Sequence, residues 1–281
     1  MNRRLLITGA GGFLGSRICE YYSNRDGYEA VGVTHRELDI EDFVAVSAFI
    51  KAIRPDYVLH CAAISNTGTC ERNPVLSEKV NVRGTINLAK ACRNAGSRMI
   101  FTSSDQIYNT SHSLEPNREG SEGKPGNVYG RDKKRAEEAM LTYLPDAVAL
   151  RLTWMYDAPS RGRAAGQGLL QKLADALKDR REVEFPVHDY RGITYVWEVV
   201  RHLEEAMGLP GGVYNFGSEN RYNTFDTARL FLRELAGSDS GGILKRNDER
   251  FASCPRNLTM DTDKIKSYGI RFFNTSEGIR K

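Results

Sequence analysis

The stretch VYGRDKKRAEE, residues 128 to 138, sets a phenol one helical turn ahead of an ammonium. In a helix Tyr129 and Lys133, at i and i+4, project from the same face. A phenol beside a positive charge suits proton exchange, because the charge stabilises the phenolate and draws a pKa near ~10 towards neutrality. A hydroxyl, Ser104, closes the apolar run RMIFTSS at 98–104. By itself Tyr-x-x-x-Lys is a weak signal, equally met by a half-buried tyrosine next to a solvated lysine. Its weight depends on the elements that hold it.

Those elements alternate. Short apolar runs, RRLLIT, YEAVGV, DYVLHCAA, RMIFTSS and AVALRLT, are separated by helical patterns at about 13–25, 41–53, 72–95 and 128–144. Such alternation predicts βαβ units and an α/β fold with a parallel sheet. The uniform hydrophobicity of the runs calls for helices on both faces of that sheet. Ligands of an open parallel sheet lie at the carboxyl ends of its strands, which is where Ser104 falls. Beyond about Met155 the pattern loosens into a basic loop, APSRGRAAGQG, and a helix near 168–178. VEFPVHDYRGITYV, a helix near 196–207, the strand GVYNFG, a helix near 224–236 and a C-terminal segment follow. We expect residues 1–155, rejoined by about 195–216, to form a Rossmann-type doubly wound domain. Residues 156–281 should form mostly a smaller substrate-binding lobe.

At the first strand–helix junction, LLITGAGGFLGSRI carries Gly9, Gly12 and Gly15 as G-x-x-G-x-x-G, with Phe13 and Leu14 opening the helix. A glycine turn lets the backbone approach a pyrophosphate while the helix directs its free N–H groups at the phosphates. The second strand ends in VGVTHRELDI, with Arg36 ahead of the first acidic residue, Glu37. An arginine there accommodates a 2′-phosphate, so NADP is expected, with NAD the alternative. Asp39 and Ile40 are placed to bracket the adenine, and Ala62 and Ala63 end the third strand with small side chains.

Composition narrows the classes. The chain of 281 residues is 40% hydrophobic and 27% charged, as in ordinary globular proteins. Its net charge of +4 is dispersed, which argues against nucleic acid as a partner. Five cysteines lacking C-x-x-C spacing disfavour a disulfide framework and a zinc site. The five histidines show no metal-ligand spacing, and His60 reads as a packed strand-end residue. No metal is expected. The N-terminal apolar run is too short for a leader or a membrane span, so a cytoplasmic protein is expected.

The glycine pattern, HCAA, NVRGTINLAKAC, SSDQIY and Tyr-x-x-x-Lys follow one another as in the extended short-chain dehydrogenase/reductases, which this chain resembles over nearly its whole length. Within them it is most similar to the dTDP-4-dehydrorhamnose reductase branch, through NVYGRDKKRAEE, LRLTWMY and CPRNLTMDTDKIKSYGI. The resemblance implies a seven-stranded doubly wound core and a Ser–Tyr–Lys group made of Ser104, Tyr129 and Lys133. It also implies NADPH-dependent reduction of a keto group in a nucleotide-linked sugar. Tyr129 would give a proton to the carbonyl oxygen, Ser104 would hold that oxygen, and Lys133 would also anchor the nicotinamide ribose. Cys61 and Asn81, in HCAA and NVRGT, fall among the cofactor-binding positions. Many relatives dimerise through the helices near 72–95 and 128–144, so a homodimer is expected.

The chain departs from that branch where the substrate pocket is expected. Thr67 and Gly68 replace a Val-Asp pair, and Asp105, Gln106, Ile107 and Tyr108 replace Asp-Tyr-Val-Phe. Related dehydratases use an Asp-Glu pair after the hydroxyl, and an amide at Gln106 cannot act as that base. A 4-epimerase and a non-catalytic regulatory subunit remain alternatives. Asp105, Gln106, Arg151, Trp154, Arg191 and Arg256 are candidate substrate contacts, with the arginines suited to a diphosphate.

Overall fold

The computed structural model describes residues 2–113, 115–157, 168–237 and 242–280. The basic stretch at 158–167 noted above lies outside them. The first half runs β1 (Arg3–Thr8), α1 (Phe13–Ser23), β2 (Tyr28–Val33), α2 (Phe43–Ile53) and β3 (Tyr57–His60). Next come α3 (Thr67–Arg72), α4 (Pro74–Glu78), a π-helical turn (Lys79–Arg83), α5 (Gly84–Ala95) and β4 (Arg98–Ser104). A 3₁₀ turn (Asp105–Tyr108), α6 (Val128–Tyr143) and β5 (Val148–Leu152) complete it. The second half opens with β6 (Trp154–Tyr156), α7 (Leu169–Asp179), β7 (Val183–Pro186), β8 (Asp189–Arg191) and β9 (Ile193–Tyr195). It continues through α8 (Val196–Arg201), α9 (Leu203–Ala206), β10 (Gly212–Phe216) and α10 (Thr224–Ala236). It ends with β11 (Leu244–Asn247), β12 (Arg256–Leu258), α11 (Asp263–Lys266) and α12 (Thr275–Gly278).

Six parallel strands form the main sheet in the order β10-β5-β4-β3-β1-β2. Along β1, Leu5 and Ile7 face one core with Ile18 of α1 and Val196 and Val199 of α8. Leu6 faces the other, with Val46 of α2, Leu88 of α5 and Met140 of α6. The sheet is therefore covered on both faces, as its apolar strands require. The chain winds one way from β1 to β2 and the other way to β3, so the switch point lies between β1 and β3, where ligands of such sheets bind.

Two expectations are corrected. The main sheet of the described residues has six strands, not seven, because the chain passes directly from β2 through α2 to β3. The helix expected over 72–95 is broken. Asn73 accepts from the Leu76 amide and Pro74 opens α4, which restarts the helix. The wide turn that follows carries Asn81 inward, where it is buried.

After β5 the chain leaves the sheet at Thr153, whose hydroxyl meets that of Thr194 at 2.6 Å. β6 then pairs with β9, while β7 pairs with β11 and β8 with β12. Gly192 allows this crossing, since a Cβ there would lie 2.0 Å from the Ser218 carbonyl oxygen. A separate core of Tyr156, Leu173, Phe185, Ile193, Phe231 and Leu232 holds these pieces together. No helix among the described residues is long and apolar enough to cross a membrane.

Candidate active site

At the switch point the glycines are required by contact. Gly9 has φ +70°, and a Cβ on it would stand 2.7 Å from the Ala62 nitrogen. A Cβ on Gly15 would stand 2.2 Å from the Gly9 carbonyl oxygen. α1 thus starts tight against β1. Its N-cap, Gly12, is extended and no side chain caps the helix, which leaves its first amides to a ligand. Phe13 lies under the Arg17 guanidinium, 4.0 Å from it, and Leu14 packs into the core.

At the end of β2, Glu37 folds back to accept from the Thr34 amide at 2.7 Å and the Thr34 hydroxyl at 2.8 Å. These bonds hold its carboxyl below the usual range. With the acid so occupied, Arg36 is the exposed charge at the strand end. Asp39 accepts from the Glu41 amide, and Ile40 is buried against Gly84. Ala62 and Ala63 follow β3, and Cys61 beside them has its thiol pushed up to about 12 by burial. Asn81 clasps the same loop, accepting from the Ile64 amide at 2.8 Å and donating to its carbonyl at 3.1 Å. His60 is enclosed between the hydroxyls of Thr8 and Thr85, and burial depresses its pKa to about 3.

Ser104 is the last residue of β4, and its hydroxyl accepts from the Gln106 amide at 3.2 Å. α6 begins against the same turn. Asn127 caps it by accepting from the Gly130 amide, and a Cβ on Gly130 would stand 2.5 Å from the Gln106 carbonyl oxygen. This glycine lets the helix press close enough for Tyr129 to come beside Ser104. Both residues are 8% exposed. Burial raises the phenol's pKa, while hydrogen bonding from Ser104 opposes the rise. Lys133 is 2% exposed, with Nζ donating to the Thr102 carbonyl at 2.8 Å. Its Nζ lies 4.4 Å from the centre of the Phe101 ring and 5.8 Å from that of Tyr129. Burial lowers its pKa to about 8.

The six expected substrate residues divide. The Gln106 side-chain carbonyl accepts from Asn127 Nδ2 at 3.0 Å, which ties the turn to α6. Asp105 lies in the field of Arg191 and Arg256. The Arg191 guanidinium stacks 3.9 Å over Trp154. Arg256 donates to Asp189 at 2.8 Å and stacks over Phe251, which itself adopts φ +65°. These residues form one cluster. Arg151 stands apart, bound to Glu137 through Nε and Nη2 and to the Tyr108 hydroxyl through Nη1.

Sequence reasoning overlooked Asp189, Glu137 and Asn127. Asp189 links β8 and β12 through Arg256 and is held far below the usual carboxylate range, at about 2, by Arg191 and Arg256 against the effect of burial. A buried acid in VHDYR was a usable signal, since an aspartate this deep requires paired cations. The Asn127 cap was also legible, three residues before Gly130.

The fold and the geometry of its switch point define a Rossmann-type α/β protein. The family model described as RmlD substrate binding domain matches residues 3–279, and the chain belongs to that family. A dTDP-4-dehydrorhamnose reductase of Streptomyces griseus is 35% identical over 279 residues, covering 95% of this chain and 88% of the relative. Methionine adenosyltransferase 2 subunit beta of Xenopus laevis is 27% identical over 282 residues, covering 96% and 83%. Among solved structures, the dTDP-4-dehydrorhamnose reductase of Bacillus anthracis in complex with NADP superposes with a TM-score of 0.88 at 20% identity, covering 100% of this chain and 98% of that one.

Proposed function

We propose that the chain is an NADPH-dependent reductase of a keto group in a nucleotide-linked deoxy sugar, of the dTDP-4-dehydrorhamnose kind. The observation that carries this reading is the convergence of Ser104, Tyr129 and Lys133 from two separate elements, β4 and α6, on the carboxyl edge of the sheet. The dinucleotide fits the residues present: Gly9 and Gly15 have no room for a side chain, α1 offers uncapped amides, and Arg36 answers a 2′-phosphate. Bound there, the cofactor supplies hydride to the carbonyl carbon. Tyr129 delivers a proton to the carbonyl oxygen, Ser104 donates a hydrogen bond to that oxygen, and the Lys133 charge stabilises the phenolate left behind. Arg256 meets the diphosphate. Residues 1–155 with 195–216 form the cofactor domain in this reading, and 156–281 mostly the substrate lobe. Cysteine usage suits a cytoplasmic setting, and α5 with α6 provides a face for a homodimer.

The test is steady-state oxidation of NADPH by the purified chain with dTDP-4-dehydrorhamnose. Turnover with NADPH preferred over NADH is expected. NADP binding without turnover would instead support a regulatory subunit, the reading favoured by the methionine adenosyltransferase relative. Retained NAD with inversion at the sugar carbon and no net cofactor consumption would support an epimerase.

A further inference from the structure

Residues 62–64, which follow β3, are held at both ends by one chain of buried hydrogen bonds, and His60 is its middle. At one end the Ala62 amide donates to the Thr8 hydroxyl at 3.3 Å. At the other, the Asn81 side chain accepts from the Ile64 amide and donates to the Ile64 carbonyl. Between them the Thr8 hydroxyl lies 2.8 Å from His60 Nδ1, and His60 Nε2 lies 3.0 Å from the Thr85 hydroxyl. That hydroxyl donates to the Asn81 backbone carbonyl at 2.7 Å. Thr8, His60, Asn81 and Thr85 are each at most 1% exposed, so each polar atom depends on these partners.

The directions are forced. A carbonyl only accepts, so Thr85 gives its one proton to Asn81 and must accept from His60, which puts the ring proton on Nε2. Nδ1 is then bare and accepts from Thr8, which accepts in turn from Ala62. The other tautomer would break the link to Thr85. An imidazolium would leave the Thr8 proton without an acceptor, and the Lys133 ammonium of α6 opposes a second cation there.

We propose that His60, as the neutral Nε2–H imidazole, is a positioning residue for the dinucleotide: it ties the end of β1 to the turn at Asn81 and so presets residues 62–64 as a wall of the cofactor site. The inference rests on the dinucleotide part of the reading above. The Ala62 nitrogen is the atom that a Cβ on Gly9 would meet at 2.7 Å, so this segment and the glycine turn share one constraint. Without the imidazole, Thr8 and Thr85 lose their partners and the segment is correctly set only part of the time. Apparent affinity for the cofactor falls by that fraction. Lys133 donates to the Thr102 carbonyl, a bond that does not involve the imidazole, so turnover at saturating cofactor is spared.

Two measurements on the full chain test this. Nitrogen NMR of isotope-labelled protein without cofactor should show the His60 imidazole, assigned by its loss in His60→Gln, with a protonated Nε2 and a bare Nδ1, unchanged between about pH 5 and 8. In calorimetric titration with NADP, His60→Leu should bind about 10-fold more weakly than wild type. His60→Gln, whose amide can replace Nε2–H and keep the Thr85 bond, should recover part of that loss. For both variants kcat at saturating NADPH should stay within about threefold of wild type, so that the effect falls on KM for the cofactor. A proton on Nδ1, an imidazolium within that pH range, NADP affinities of the folded variants equal to wild type, or His60→Gln no better than His60→Leu would each overturn the proposal. A wild type that binds NADP without turnover would remove the reductase reading and leave this one standing, whereas a wild type that binds no dinucleotide would remove both.

Discussion

The Lys133 ammonium lies 5.8 Å from the centre of the Tyr129 ring, buried, with no carboxylate at ion-pair distance among the described residues. Its Nζ donates to the Thr102 carbonyl. A charge held in this way lowers stability and raises the electrostatic potential around the phenol, so the site sets function against folding.

Lys133→Met is expected to abolish turnover while leaving the protein as stable or more so at pH 7. The folded pKa is lowered from 10.5 to about 8, so between those values the unfolded chain binds more protons. Wild-type stability should therefore rise with pH across that window. Below it, the charged lysine costs on the order of 3 kcal/mol, of which the lost Thr102 bond offsets about 1–2 in the variant. Urea denaturation at pH 7, 8.5 and 10 checks this. A wild-type curve that stays flat over the window, or one that falls, contradicts it.

Tyr129→Phe should lower kcat by roughly 10²–10⁴ with little change in NADPH affinity. Reduction needs the protonated phenol and the charged lysine. Burial raises the phenol's pKa, so the lysine is lost first, and kcat/KM should fall above about pH 8. A profile unchanged up to pH 10 would remove Lys133 from the mechanism.

Arg36→Ala tests the cofactor choice. Glu37 is already committed to Thr34, so loss of Arg36 removes the cation without freeing an acid for a 2′-hydroxyl. KM for NADPH should rise about 10-fold and KM for NADH should hold, as expected for one exposed charge-assisted contact. Equal changes for both cofactors would show that Arg36 does not meet the 2′-phosphate.

Arg151→Met is expected to destabilise by about 3–5 kcal/mol, since it leaves Glu137 buried and uncompensated. Glu137→Leu in the same chain should recover much of the loss. Chemical denaturation of both variants measures this, and ligand affinities of the folded fraction should match wild type. A selective loss of nucleotide-sugar binding would return Arg151 to the substrate site.

Much of the site was legible because its parts are local in sequence. The glycine turn, the i,i+4 spacing of Tyr129 and Lys133, and the strand ending at Ser104 are each set by a few consecutive residues and their backbone preferences. The break at Asn73–Pro74 was also written locally, yet the continuous apolar pattern across it obscured it. The division of the arginines was not legible. Arg151 and Arg191 both lie on short strands, and only the tertiary neighbours, Glu137 for one and Trp154 for the other, separate an occupied guanidinium from an unsatisfied one.

Sequence periodicity by itself determined the alternation of strand and helix, the parallel sheet and the junctions at which a dinucleotide can dock, because these follow from which residues bury and where the backbone must turn. Tertiary structure alone decided how many strands join the sheet, which charges are compensated, and which atoms remain free to meet a ligand. Burial converts a partner's absence into an energy, and that energy depends on residues more than a hundred positions apart coming within a few ångströms, as Arg17 and Asp157 do at 2.8 Å.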